Sequence, residues 1–182
     1  MATSATAATT ATTDPRGELW VASFETYYDA FYEERLADAL INKWGQLDDF
    51  TKIIVALTAS GSAISGWALW GEQGWKIIWL ACSGLAALLS IVHTALAVPN
   101  RIKAHADDKR RFAQLRTSLE TFRYRLKVEQ FDAEMFNKEF VDFRKVYGDD
   151  ISLLNNDTFR TRRFEMKIQM QVNEQVADQT VG

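Results

Sequence analysis

Two runs without a charged side chain, Ile53 to Trp70 and Ile77 to Val98, interrupt a chain that is otherwise densely charged. Each is close to the ~20 residues that a helix needs to cross a hydrocarbon core of roughly 30 Å. The connection between them, Gly71-Glu72-Gln73-Gly74-Trp75-Lys76, is short and polar. It predicts a tight turn and two antiparallel helices, because backbone groups inside lipid have to be paired within their own helix. A buried hairpin in a soluble protein is the competing reading. Against it stand the lengths of both runs and the placing of Trp67, Trp70, Trp75 and Trp79, four of the six tryptophans, around the turn. Indole prefers the headgroup level, so these four are read as interfacial anchors.

The flanks carry helical periodicity. From Glu18 to Trp44 the residues Trp20, Phe24, Tyr27, Tyr28, Phe31, Leu36, Leu40 and Trp44 recur at helical spacing, with Glu25, Asp29, Glu33, Glu34 and Asp38 on a face read as solvated. Gly45 is expected to break or bend this helix before the membrane. After Pro99-Asn100, where a bend is expected, a long helix covers Arg101 to Gln130. Phe112, Leu115, Leu119, Phe122 and Leu126 alternate at steps of three and four along it, the seam of a bundle or coiled coil. Met135, Phe136, Phe140, Phe143 and Tyr147 continue the pattern, with Gly148 as a stop. Asn155-Asn156-Asp157 can cap a last helix from about Thr158 that carries Phe164, Met166, Ile168 and Met170. The predicted fold is an all-α membrane protein. A disordered leader (1–16) precedes an amphipathic N-terminal cytoplasmic helix (17–50) and a two-helix transmembrane hairpin (51–99). A cytoplasmic helical bundle (100–172) and a frayed tail (173–182) follow.

Charge sets the orientation. Arg101, Lys103, Lys109, Arg110, Arg111 and Arg116 follow the second run, whereas the turn offers only Lys76 beside Glu72. Lysine and arginine near a span stay on the cytoplasmic side. The expectation is therefore an inner-membrane, multi-pass protein with both termini cytoplasmic. From Asp14 to Lys52 nine acids stand against four bases, and from Arg101 to Gln130 nine bases against four acids. The two helices that leave the same membrane face thus carry opposite charge and apolar stripes that need burial, and they are expected to pack together. Basic residues beside the bilayer also suit anionic lipid. The leader, rich in Ala, Thr and Ser, lacks the basic and apolar regions of a secretory signal.

Ala59, Gly61, Ser62, Ala63, Ser65 and Gly66 give the first run overlapping small-residue spacings on more than one side. Such spacings let helix backbones approach closely in lipid. One face would serve the partner span; a second suggests contact with other subunits, and so a homo-oligomer. In the second run Ser90, His93 and Thr94 are polar, and an ionisable group in a span tends to face protein or water. His93 reads either as an imidazole hydrogen-bonded to a neighbouring helix or as a pore-lining, proton-sensitive group. Catalytic chemistry is missing from the pattern. There is one cysteine, Cys82, and no phosphate-cradling glycine loop, zinc-binding His-Glu motif or nucleophile elbow. Arg160, Arg162 and Arg163 are read as salt-bridging rather than phosphate-binding. No enzyme activity, cofactor, metal or nucleic-acid partner is expected, and 182 residues leave no room for a separate catalytic domain.

The exit segment Val98-Pro99-Asn100-Arg101-Ile102-Lys103-Ala104-His105 continues into Arg111-Phe112-Ala113-Gln114-Leu115-Arg116 and Leu119-Glu120. With the amphipathic entry helix and the close hairpin, it resembles the SLATT domain. That is a two-transmembrane effector domain found beside nucleotide-second-messenger and SLOG-type sensors in prokaryotic conflict systems. The resemblance spans about Tyr28 to Leu126. It implies an effector that oligomerises and permeabilises the membrane, acting with a separately encoded sensor or nucleotide-signalling protein. The alternative is a structural membrane protein that builds homo-oligomeric arrays or tubes through its cytoplasmic helices. A constitutive ion channel fits less well, since neither run holds a carboxylate for a selectivity filter.

Overall fold

The computed structural model describes the backbone of residues 14–68, 73–154 and 157–181. It describes their side chains too, apart from those of 58–68, 73–76, 78–80, 82–83, 152–154 and 179–181. The fold is all-α: α1 (Pro15–Ala68), α2 (Gln73–Ala95), α3 (Val98–Val128), α4 (Ala133–Leu154) and α5 (Arg162–Val181), with no strand among the described residues.

The apolar periodicity of α1 and α3 is resolved by packing them antiparallel. Tyr27 donates to Glu120 at 3.1 Å, Arg116 pairs with Glu34 at 2.7 Å, Lys109 with Asp38 at 2.7 Å, and Arg101 lies 5.1 Å from the Trp44 ring. Along this seam Phe112, Leu115, Leu119, Phe122 and Leu126 are all buried, together with Tyr27 and Ala30. α4 returns along α3, placing Phe136, Phe140 and Phe143 around Phe122 at centroid distances of 5.6–6.1 Å and Tyr147 beside Phe112. α5 runs back along α1, where Ile168 and Val172 close over Phe31, Leu36 and Leu40. The buried residues form three apolar clusters, two where α1, α3 and α4 meet and one between α1 and α5. Each large side chain buried there contributes about 1.5–3 kcal/mol before entropy is counted.

Several boundaries differ from the sequence expectations. Gly45 neither ends nor breaks α1, which passes through it from the bundle into the apolar run as one helix of 54 residues; the division at 50/51 is not a structural one. A single glycine costs a helix only ~1 kcal/mol, and the buried Leu40 and Trp44 just before it hold the helical path. Gly148 likewise lies within α4, where Tyr147 on one side and the Arg111–Asp150 pair on the other keep the last turns docked. The last helix begins at Arg162, not near Thr158, because Asp157 turns its carboxylate to the Phe159 amide and closes a separate turn with Arg160. Residues 173–181 are helical, not frayed, since Tyr28 bonds Asn173 and Val176 packs on the core. Glu33 is not solvated: it is 3% exposed and pairs with Arg160 at 3.2 Å. The bend before α3 falls at Leu96-Ala97 rather than at Pro99, which sits in the first turn of α3. Ala97 takes a left-handed conformation, φ 47°, and its carbonyl accepts from Asn100 and Arg101. That conformation strains a residue with a Cβ by roughly 1–2 kcal/mol, offset by the bonds that follow it. The expected leader lies largely outside the described residues.

Among the described residues, one helical stretch, within Gly84–Val128, is long and apolar enough to cross a membrane. Only 6% of its apolar window is buried, whereas a core helix of a soluble protein would be mostly covered. Leu85, Leu88, Ile91 and Val92 of α2 and Phe50, Ile53, Val55 and Leu57 of α1 are 40–67% exposed.

Candidate functional site at the foot of the bundle

Where the bundle meets the apolar helices, two polar clusters tie the elements together. The first joins α1 to α2. His93 places Nε2 2.8 Å from Oδ1 of Asp48, and Lys52 reaches the other oxygen, Oδ2, at 2.6 Å. Helical spacing puts Asp48 and Lys52 one turn apart on one face of α1. The hydrogen bond from Lys52, then that from His93, holds the Asp48 carboxyl below the usual carboxylate range. His93 is therefore engaged by a neighbouring helix. Thr94 donates within its own helix to the Ser90 carbonyl at 2.9 Å, and Ser90 and Thr94 are both exposed.

The second cluster is centred on Asp157, whose side chain is 2% exposed. Its Oδ2 accepts from Trp44 Nε1 and from His105 Nε2, each at 2.9 Å, with Arg101 at 3.5 Å; Oδ1 accepts the Phe159 amide at 2.7 Å. One carboxylate thus collects α1, α3 and the connection from α4 to α5. Burial pushes its pKa up, but the bonds from His105, the Phe159 amide and Trp44 outweigh that and hold it below the usual range. A buried charge is retained when its oxygens are fully answered in this way. Phe159 packs against Trp44 with centroids 4.6 Å apart. On the other side of His105, Asp108 lies 3.7 Å from Nδ1, too long for a hydrogen bond, and Nδ1 has no partner. Burial raises the Asp108 pKa, partly countered by His105 and Arg111. Three donors on Oδ2 and one on Oδ1 draw α1, α3 and the connection before α5 onto one side chain, so the cluster fastens helices. Among the described residues no group of three metal-ligating side chains assembles.

The other sequence candidates fall as follows. Ala59, Gly61, Ser62, Ala63, Ser65 and Gly66 lie within α1, and Trp67 near its end; their side chains, like those of Trp75 and Trp79 in α2, are outside the described set. Trp70 and the turn at 69–72 lie outside the described residues. Arg160 bridges Glu33 and Glu165 at 3.2 and 2.7 Å. The hub at Asp157 is not legible from local pattern. Its one signal is that Trp44 and His105 are polar-tipped residues on otherwise apolar faces. Compared with family models, curated proteins and solved structures, the chain matches none.

Proposed function

We propose that this chain is an oligomeric membrane effector. It crosses the inner membrane twice over 51–99, keeps both termini cytoplasmic, and opens or disrupts the membrane in a prokaryotic anti-phage or conflict system. The observation that carries the reading is the continuity of α1, which runs unbroken from the bundle core at Leu40 and Trp44 into the apolar run. Any rearrangement of the bundle moves that run with it, because no flexible linker absorbs the motion. The apolar exterior of α2, the small-residue spacings of α1 and the resemblance to SLATT domains support the same reading. In it, a separately encoded sensor acts on the bundle, and the small-residue faces bring copies together in lipid.

The test is induced expression in a bacterial host with a membrane-potential dye. Depolarisation with growth arrest is expected, and it should be lost when Gly61→Leu and Gly66→Leu are combined, since leucine at a close crossing forces the backbones apart. Ordered arrays or tubes in the membrane without depolarisation would favour the structural alternative.

A further inference from the structure

The arginines of α3 that face α1 are answered unequally. Arg116 lies 5.5 Å from the Phe31 centroid and is paired with Glu34 and Glu120 at 2.7 and 3.0 Å. Two turns further along, Arg123 lies 4.2 Å from the Trp20 centroid, 4.9 Å from Phe24 and 5.8 Å from Tyr27. Its Nε is buried without a hydrogen-bond partner. The charged group nearest in effect, Glu120, is already held by Arg116 and Tyr27. Desolvation by the rings holds the guanidinium below the usual arginine range, a cost that an acid beside it would offset. Beside it Trp20 is 39% exposed, and Lys127 is exposed one turn on. Aromatic and arginine side chains grouped in this way are the usual energetic centre of a protein interface.

The far side of α1 carries the reverse charge. Glu18, Glu25 and Asp29 are exposed and, among the described residues, form no ion pair. Desolvation and then the nearby Glu25 push the Asp29 carboxyl up. At about 100° per residue, Glu25 and Asp29 stand roughly 140° and 180° round the helix from Trp20. Glu18 borders an apolar groove between α1 and α4, floored by Leu19, Ala22 and Phe140.

We propose that these two faces meet between copies of this chain: the Trp20, Arg123 and Lys127 face of one bundle docks on the Glu18, Glu25 and Asp29 face of the next. The inference rests on the oligomeric reading above and adds the bundle contact that orders the subunits. The faces differ and lie on opposite sides of α1, so the contact is heterologous and repeats in one direction. Such contacts close into a ring when the rotation between neighbours permits, and a ring is the arrangement that surrounds a central pathway.

Charge reversal tests this on the full-length protein in detergent, with particle mass and helical circular dichroism as readouts. Arg123→Glu alone, and Glu25→Lys with Asp29→Lys, should each raise the concentration needed for assembly at least tenfold. Mixing the two variants should restore assembly, because when the copies alternate the two reversed faces meet at one contact and the two unaltered faces at the next. Glu25 and Asp29 are exposed, so that variant keeps its fold and reads the interface by itself. A wild-type oligomer that neither variant weakens, or variants that stay apart when mixed, would overturn this contact while leaving the oligomeric reading standing. A wild type that is monomeric throughout would overturn both.

Discussion

Trp44 Nε1 and Asp157 Oδ2 stand 2.9 Å apart, joining the last buried turn of the bundle in α1 to the connection between α4 and α5, 113 residues away in sequence. The carboxylate that accepts this bond also accepts from His105, so three elements depend on its charge.

That dependence sets a pH window. The folded pKa of Asp157 is depressed, so its contribution to stability is fully present above the unfolded value of about 3.9 and is lost as pH falls through the folded value. Asp157→Asn should cost about 1–3 kcal/mol at pH 7, because buried donors lose a charged acceptor. Melting curves of both proteins in detergent should show the gap constant above pH 5 and narrowing below about pH 4. A gap unchanged down to pH 3 would mean that the charge is not what holds the junction.

His93→Ala should loosen the α1–α2 junction without touching the bundle. Asp48 would keep only Lys52, and hydrogen exchange in the last turn of α2, residues 90–95, should quicken several-fold. Exchange across the buried seam from Phe112 to Leu126 should stay as it was. Equal acceleration in both regions would mean that the bond supports the whole fold.

Burial, rather than charge, should dominate the bundle. Leu119→Ala and Phe122→Ala each empty a site that is at most 1% exposed and should cost about 2–5 kcal/mol. Arg116→Ala removes pairs that still touch water and should cost about 1 kcal/mol. Denaturant midpoints of the three variants rank them, and an arginine variant that proves weakest would mean an electrostatically assembled bundle.

The α3 seam was legible because five apolar residues at three- and four-residue steps can be buried together on only one face, and its pairing with α1 followed from opposite charge and shared need. The helix ends were less so. Gly45 and Gly148 carry a local breaking tendency of about 1 kcal/mol, which docking of Trp44 and Tyr147 overrides, and local pattern holds no record of docking. Glu33 looked solvated because the Arg160 that covers it is 127 residues away. The junction was invisible for the same reason: Trp44, His105 and Asp157 meet only after α3, α4 and α5 have packed. His93 stood out as an ionisable group in an apolar run, but no periodicity names Asp48 as its partner.

Topology follows from the proposed two spans. With Cys82 replaced, a cysteine at Gln73 should react with an impermeant thiol reagent on intact cells, and one at the exposed Asp107 should react only after lysis. Labelling of the Asp107 site alone on intact cells would reverse the orientation, and labelling of neither or both would contradict a hairpin with its turn outside.

The most direct test of the central claim is dye release from liposomes that hold the purified, full-length protein. An oligomeric effector predicts release that rises more steeply than linearly with protein per vesicle and that falls sharply in the combined Gly61→Leu and Gly66→Leu protein. Vesicles that remain sealed at every loading, while protease protection shows the chain inserted, would contradict a role in opening the membrane.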